Sequence, residues 1–499
     1  MKKHTSSILP ASLAPYRKAL CCLAVLVSIF LFLQILDASM GAVLKFLAAA
    51  IVLVACGEFV RREYSLDGGW GLIMLRSKTG LSLIDSLAKK NETLLKWFAD
   101  IGLVVCFGFL SYFMMSKEAR NPKRLIVLFL VGFPLLAILA LFVAPSVFPI
   151  LASALNTFDF AQSGAKIRAS ASGFSFFDIL MLSSIVIGGF ALFTTISLIS
   201  YAILIVGAVV GAIGGNSTAL NNTAPGATFI LPGINLPLFE AVLALAIMLV
   251  VHECAHGLLA RAGKIKLNSA GLVFLGFLPM GAFIDPDEKQ LKKADMHTQN
   301  RVLVAGSMSN FITSFVLFIV LLLFVFATYN FRADGVRVEA GTLPRGSIIF
   351  ETNGTLTSNS SPLYAETGIM KLNGKYLGSF ENITFMPNST VTVLTDKGVF
   401  IRNATADGKI GILYNVVLKS GRGWLVYYPN NALLMFIYTT LALAFALNFV
   451  VGTINLVPLP FFDGFQMLDA TVKNKHVVQA IMVLLVAAFA ANFLPWLFR

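Results

Sequence analysis

Residues 239–257 read Phe-Glu-Ala-Val-Leu-Ala-Leu-Ala-Ile-Met-Leu-Val-Val-His-Glu-Cys-Ala-His-Gly. From Phe239 to Val251 every side chain but Glu240 is apolar, and the run then meets His252, Glu253 and His256. About 20 apolar residues suffice for a helix to cross a bilayer, so 236–262 is expected to be a membrane helix carrying these groups inside it. A charged residue at the centre of such a helix costs roughly 2.5–3.5 kcal/mol. Ionisable groups retained there mark a functional site.

The rest of the chain agrees with a membrane setting. Of its 499 residues, 57% are hydrophobic and 13% charged. Soluble domains carry roughly 25% charged residues. Further expected spans are 19–37, 41–60, 98–116, 124–146, 177–212, 301–328, 430–457 and 477–497, with 177–212 read as one long tilted helix. The net charge is +13, but Lys and Arg are scattered through loops without stacking aromatics, which excludes a nucleic-acid surface. They are topology signals. Lys2, Lys3, Arg17 and Lys18 put the N-terminus in the cytoplasm, and no cleavable signal peptide is expected. The five cysteines all fall in apolar runs without a C-x-x-C pair, so neither disulfides nor a cysteine metal site is expected.

Composition changes at 329–429. Alternating segments such as Val336-Arg337-Val338 and Val391-Thr392-Val393-Leu394 are separated by turn residues, among them Pro344-Arg345-Gly346, Asn373-Gly374 and Lys397-Gly398. This pattern predicts a small strand-rich domain inserted between membrane helices. The chain then divides into 1–229 with about five spans, 230–328 with the motif helix, the insert 329–429, and 430–499. N-x-[ST] sequons at Asn353, Asn359, Asn382, Asn388 and Asn403, with Asn216 and Asn221 before the motif helix, favour an extracytoplasmic side for both regions; Asn91 forms another in the link 61–97, expected to be cytoplasmic. The motif helix then runs inward toward Arg261, Lys264 and Lys266, which places its histidines in the cytoplasmic half. One conflict remains: the basic loop 117–124 falls outside on simple alternation of spans, against the positive-inside rule.

On a helix, residues four apart share a face, so His252 and His256 can offer imidazole nitrogens to one metal ion. Glu253 is then placed to act on a water as general base. A catalytic zinc takes three protein ligands and leaves a position for water. His4, His297 and His476 lie in charged loops or termini, and Glu58, Asp178 and Glu240 sit near span ends. Asp463 is the outstanding candidate for the third ligand. It ends the segment Asn455-Leu456-Val457-Pro458-Leu459-Pro460-Phe461-Phe462-Asp463-Gly464, where two prolines break a helix. Irregular backbone at membrane depth is tolerated where it lines a cavity or is buried in protein.

The pair H-E-x-x-H-G and N-x-x-P-x-P-x-x-D-G resembles the site-2 protease family of intramembrane zinc metalloproteases. The resemblance implies that His252, His256 and Asp463 hold Zn2+, that Glu253 is the catalytic glutamate, and that Asn455 lies near the substrate. Gly306-Ser307-Met308-Ser309-Asn310 matches the G-x-x-x-N element of the family's middle core helix, and Asn310 is read with Asn455 as a substrate-binding residue. Phe462 departs from the Leu usual before Asp-Gly. Pro232–Pro237, Gly281-Ala282-Phe283, Pro286-Asp287-Glu288 and Gly71–Arg76 look most like archaeal members. By the same resemblance the catalytic core is 236–262, 301–328 and 430–469, the segment 267–284 is a re-entrant hairpin or sheet, and the insert looks like a PDZ domain. The expected fold is a multi-pass α-helical membrane protein with a small β-rich extracytoplasmic insert, residing in the plasma membrane of a prokaryote. The expected partners are the lipid bilayer and membrane-protein substrates with a transmembrane segment. A metal-ion transporter or metal-dependent sensor is the alternative from another class, disfavoured because no His or acidic chain continues across the membrane.

Overall fold

The computed structural model describes residues 15–147, 176–329, 335–417 and 428–495, apart from 39, 41, 79, 216–219, 221–222, 224, 228–230, 234–235, 345–346, 354–369, 373–374, 378–384, 396–397 and 429–430. Two compact units divide it. One takes in the described residues of Met1–Val147, Phe158–Phe318 and Leu443–Arg499; the other takes in those of Ile319–Ala442.

Among the described residues seven helices are long and apolar enough to cross a membrane: Arg17–Asp37, Glu92–Met114, Pro122–Val147, Ile179–Ile213, Leu238–Ala262, Met296–Ala327 and Ala432–Ile454. The architecture is that of a multi-pass helical membrane protein. Helix α1 (Arg17–Asp37) and helix α2 (Ala42–Glu63) pack as a pair. The expected span 41–60 forms α2, whose inner stretch is apolar and whose last turns carry Glu58, Arg61 and Arg62; Glu58 bonds Arg61 at 2.6 Å and Arg62 at 2.7 Å.

The link 61–97 is more ordered than its polarity suggests. It contains strands β1 (Asp67–Gly69) and β2 (Leu72–Ser77) and the amphipathic helix α3 (Leu81–Lys90). These strands extend the hairpin of β3 (Leu267–Leu275) and β4 (Leu278–Pro286) into an antiparallel sheet of order β1-β2-β3-β4. Arg76 pins the far end of the sheet, donating to Asp67 (2.8 Å), Ser269 (2.8 Å) and Asp285 (2.6 Å). The expected hairpin or sheet at 267–284 forms half of a four-stranded sheet. At its turn, Phe277 packs edge-on against Phe32 of α1.

Helix α4 (Glu92–Phe107) does not simply traverse. At Gly108 the backbone takes φ +52, and a Cβ there would overlap the Val186 carbonyl. The 3₁₀ segment Gly108–Met114 then folds back. The Met114 carbonyl accepts from Asn300 (3.3 Å), and Ser116 lies 3.2 Å from His297. Residues 114–116, which lead into loop 117–124, therefore lie against residues 297–300. Helix α5 (Pro122–Ile138) starts within that loop. The expected single helix at 177–212 forms α6 (Phe176–Ile213), broken at Gly188 and Gly189 (φ +57), where the tip of the fold-back lodges.

One carboxylate fastens this region. Asp100 of α4 is fully buried and accepts from Arg301 at 2.7 Å through both oxygens, from Arg124 at 2.6 Å and from His297 at 2.8 Å. His297 is therefore a buried partner of Asp100, and not the loop residue its charged neighbourhood suggests. Removing one member of a buried ion cluster strands the other charges, at about 3–5 kcal/mol. Asp100→Asn is expected to lower stability by about that amount, read by thermal unfolding of the purified protein in detergent.

The motif helix α7 (Leu238–Ala262) is followed by β3 and β4, the short helix α8 (Glu288–Lys293) and helix α9 (Met296–Ala327). At about 1.5 Å per residue, α9 exceeds the roughly 30 Å of a hydrocarbon core. Helix α10 (Ala432–Ile454) ends just before the proline segment. That segment is held by Leu456, Val457 and Leu459, all buried, before α11 (Asp463–Thr471) and α12 (Lys475–Ala491) close the chain. Leu198 and Ile199 of α6 and Leu485 of α12 pack against it.

The second unit is strand-rich, as the alternation predicts. Strands β5 (Gly335–Gly341), β6 (Ile348–Asn353), β9 (Thr390–Thr395), β10 (Gly398–Asn403) and β11 (Ile412–Val417) pair in the order β10-β9-β6-β5-β11. Strand β7 (Met370–Leu372) runs parallel to β6 and pairs with β8 (Lys375–Leu377). Val338, Ile349, Phe385, Val391 and Val393 fill its core. Of the sequon asparagines, Asn388 and Asn403 are exposed. Asn216, Asn221, Asn359 and Asn382 lie outside the described residues, as do 361–369 and Asn373-Gly374.

Candidate metal centre

Helical periodicity brings His252 and His256 to one face of α7, one turn apart. Their Nε2 atoms lie 3.1 Å from each other. The third corner comes from the broken segment. Pro458 and Pro460 cannot continue α10, so the chain turns and starts α11 at Asp463, with Phe462 as its cap. Asp463 thereby sits in the first turn of a helix, where the axial dipole favours a carboxylate. The Gly464 N–H donates to the Asn455 carbonyl at 2.7 Å, closing the loop. Asp463 Oδ2 lies 3.3 Å from His252 Nε2 and 3.3 Å from His256 Nε2.

These three atoms form a nearly equilateral triangle. The corners of a tetrahedron of zinc ligands, at about 2.0–2.1 Å from the ion, are about 3.3 Å apart. Asp463 Oδ2 is buried and accepts no hydrogen bond, and the three side chains are only 6%, 12% and 13% exposed. Two imidazoles and a carboxylate at these distances, with one oxygen orphaned, fit a zinc ion in both geometry and donor chemistry. Among the described residues no other set of three His, Cys, Asp or Glu groups converges in this way.

The surroundings are equally specific. His256 Nδ1 donates to the Val302 carbonyl of α9 at 2.7 Å. The amide of Asn310 lies 3.1 Å from His252 Nδ1. The amide of Asn455 lies 3.2 Å from His252 Nε2, on the side of the triangle. Gly306 faces the pair so closely that a Cβ would overlap both imidazole rings. Glu253 Oε2 accepts from the backbone N–H of Ile284 in β4 at 3.1 Å. Strand β4 pairs with β3 and with no other strand among the described residues, and it packs against α7 beside Glu253.

All six residues singled out in the sequence thus meet in one place, His252, Glu253, His256, Asn310, Asn455 and Asp463. They are not equivalent: Asn310 is fully buried, whereas Asn455 is partly exposed. Sequence reasoning missed Ile284 and Val302, whose contributions are backbone groups that no side-chain pattern reveals. It also passed over Asp100, which a lone carboxylate within the apolar run 98–116 signals. Glu58 and Glu240 stay away from the triangle, and the side chain of Asp178 lies outside the described residues.

The family model of Peptidase family M50 matches residues 240–492, from the motif helix through the C-terminal helix. The chain belongs to peptidase family M50. An uncharacterized protein of Methanocaldococcus jannaschii is 27% identical over 238 residues, which is 47% of this chain and 58% of that relative. The chain therefore spans about three fifths of the relative's length. Membership of M50, the site-2 protease family, agrees with the multi-pass membrane architecture. The M50 match covers both halves of the triangle, His252 and His256 at one end and Asp463 at the other, together with the strand-rich unit between them.

Proposed function

We propose that this protein is a zinc-dependent intramembrane endopeptidase that hydrolyses peptide bonds within or near transmembrane segments of membrane-protein substrates, as in regulated intramembrane proteolysis. The observation that carries the reading is the triangle of His252 Nε2, His256 Nε2 and Asp463 Oδ2 with Glu253 beside it. Zinc held there would supply Lewis acidity, which lowers the pKa of water toward neutrality. Glu253 takes the proton from the attacking water and returns it to the leaving amine. The Ile284 N–H keeps that carboxylate turned toward β4. Asn455, partly exposed at the triangle, is positioned to donate its amide N–H to the oxygen of the scissile carbonyl, where a fixed donor counts most.

A substrate helix hides its carbonyls in its own hydrogen bonds, so the segment to be cut has to unwind. Strand β4, which pairs with β3 alone among the described strands and runs beside Glu253, suits an extended chain as neighbour. The expected orientation puts the strand-rich insert outside and the metal centre in the cytoplasmic half; a PDZ-like insert in that position excludes bulky substrates. In a prokaryotic plasma membrane the substrates are other membrane proteins. The test is cleavage of a single-span model substrate by purified, zinc-loaded protein in liposomes. A mass-mapped cut within or next to the span, abolished by a chelator and restored by zinc, is the expected result. Zinc flux across the liposome without any cleavage speaks for a transporter and sinks the proposal.

A further inference from the structure

Three residues of α9, Val302, Gly306 and Asn310, follow one another at intervals of four and so form one stripe along that helix. The stripe faces the two histidines of α7. At one end the Val302 carbonyl takes the Nδ1 proton of His256 (2.7 Å). At the other the Asn310 amide meets Nδ1 of His252 (3.1 Å). Between them Gly306 leaves the space that both rings fill. One helix therefore grips both imidazoles by their Nδ1 atoms and turns both Nε2 atoms toward Asp463.

An imidazole that binds a metal through Nε2 carries its proton on Nδ1, so the group opposite Nδ1 has to accept. The Val302 carbonyl meets this condition. At Asn310 the acceptor is Oδ1, which a half-turn of the amide brings to the same position. Oδ1 is buried and has no other partner, so nothing holds the amide the other way. Asn310 is 0% exposed, so it offers no accessible surface to a substrate.

We infer that Asn310 is a positioning residue of the metal centre: it accepts the Nδ1 proton of His252, fixes that ring's tautomer and orientation, and makes no contact with substrate. This assignment rests on the zinc reading above and replaces the substrate-binding role that the motif suggested for Asn310. It also accounts for the G-x-x-x-N spacing, because the residue one turn beyond Gly306 meets Nδ1 of the His252 ring that Gly306 makes room for.

The full-length protein tests it with zinc alone as the probe, in competition with a chromogenic chelator. Groups that hold a metal-binding histidine from behind typically change affinity 10–100-fold when lost. Asn310→Leu, similar in size but without an acceptor, is expected to weaken zinc binding by about that factor. It should also alter the visible absorption of the cobalt-substituted protein. Asn310→Asp, whose carboxylate accepts from Nδ1–H, is expected to restore both. A Leu variant with unchanged zinc affinity and an unchanged cobalt spectrum overturns the inference, whatever its cleavage rate. If the Leu variant does not fold, the Asp variant decides alone, since loss of zinc there overturns it equally. A wild-type protein that binds no zinc overturns the proposed function as well, whereas wild-type binding with an indifferent Asn310 leaves that function standing and removes only this role.

Discussion

Replacing Glu253 with Gln is expected to abolish peptide-bond hydrolysis while leaving zinc bound in full stoichiometry. Glu253 contributes no corner to the triangle of His252, His256 and Asp463, so the metal does not depend on it. Gln has the same length and still offers an oxygen to the Ile284 N–H that Glu253 now accepts at 3.1 Å. The fold around β4 is therefore preserved. A neutral amide cannot take a proton from water near neutral pH, and general-base assistance is worth about 10²–10⁴-fold in rate. The measurement is cleavage of a single-span substrate by equal amounts of zinc-loaded wild type and variant, with zinc determined in both. Cleavage at the wild-type rate would remove Glu253 from the chemistry and leave the metal centre without a base.

The site is largely legible in the sequence because its parts are written in local code. Two histidines four apart on a helix can only face the same way, and two prolines force a turn at a predictable place. The triangle adds one long-range contact, of Asp463 with His252 and His256, and the segment between Pro458 and Asp463 makes the return. What the sequence did not reveal is of two physical kinds. The first is pairing at a distance: β2 joins β3 although 193 residues separate Arg76 from Ser269, and alternation in the short β2 is too slight to separate it from a polar link. The second is the ambiguity of apolar runs. Residues 92–114 are apolar enough to cross a membrane, and the same composition equally suits a segment that enters, turns at Gly108 and returns. Only the bonds from His297 to Ser116 and from Asn300 to Met114 decide between these. Gly188 and Gly189 break α6 for the same kind of reason: two adjacent glycines permit a break but do not require one, and the tip at Gly108 imposes it.

Asp463→Asn is the sharper of two tests of the third ligand, and Asp463→Ala the more severe. Zinc in a catalytic centre takes three protein ligands, and either change leaves two. The loss should exceed the 10–100-fold typical of groups that merely support a ligand, so neither variant should retain zinc under conditions that saturate the wild type. Asn keeps the shape of the side chain and the start of α11, and gives up only the negative charge opposite two imidazoles 3.3 Å away. The charge at that helix start is itself worth only about 0.3–1 kcal/mol, so the metal-free variants should unfold close to metal-free wild type. Zinc should then separate them. A ligand present at 1,000 times its dissociation constant adds about 4.1 kcal/mol to the folded state, so zinc raises the melting temperature of wild type and leaves that of Asp463→Asn and Asp463→Ala unchanged. Equal stabilisation of all three by zinc would mean that the third ligand is not Asp463, and no other acidic or thiol side chain among the described residues closes a triangle with His252 and His256. The metal would then be held by the two histidines of α7 without a third side chain, a centre too open to retain zinc through a catalytic cycle.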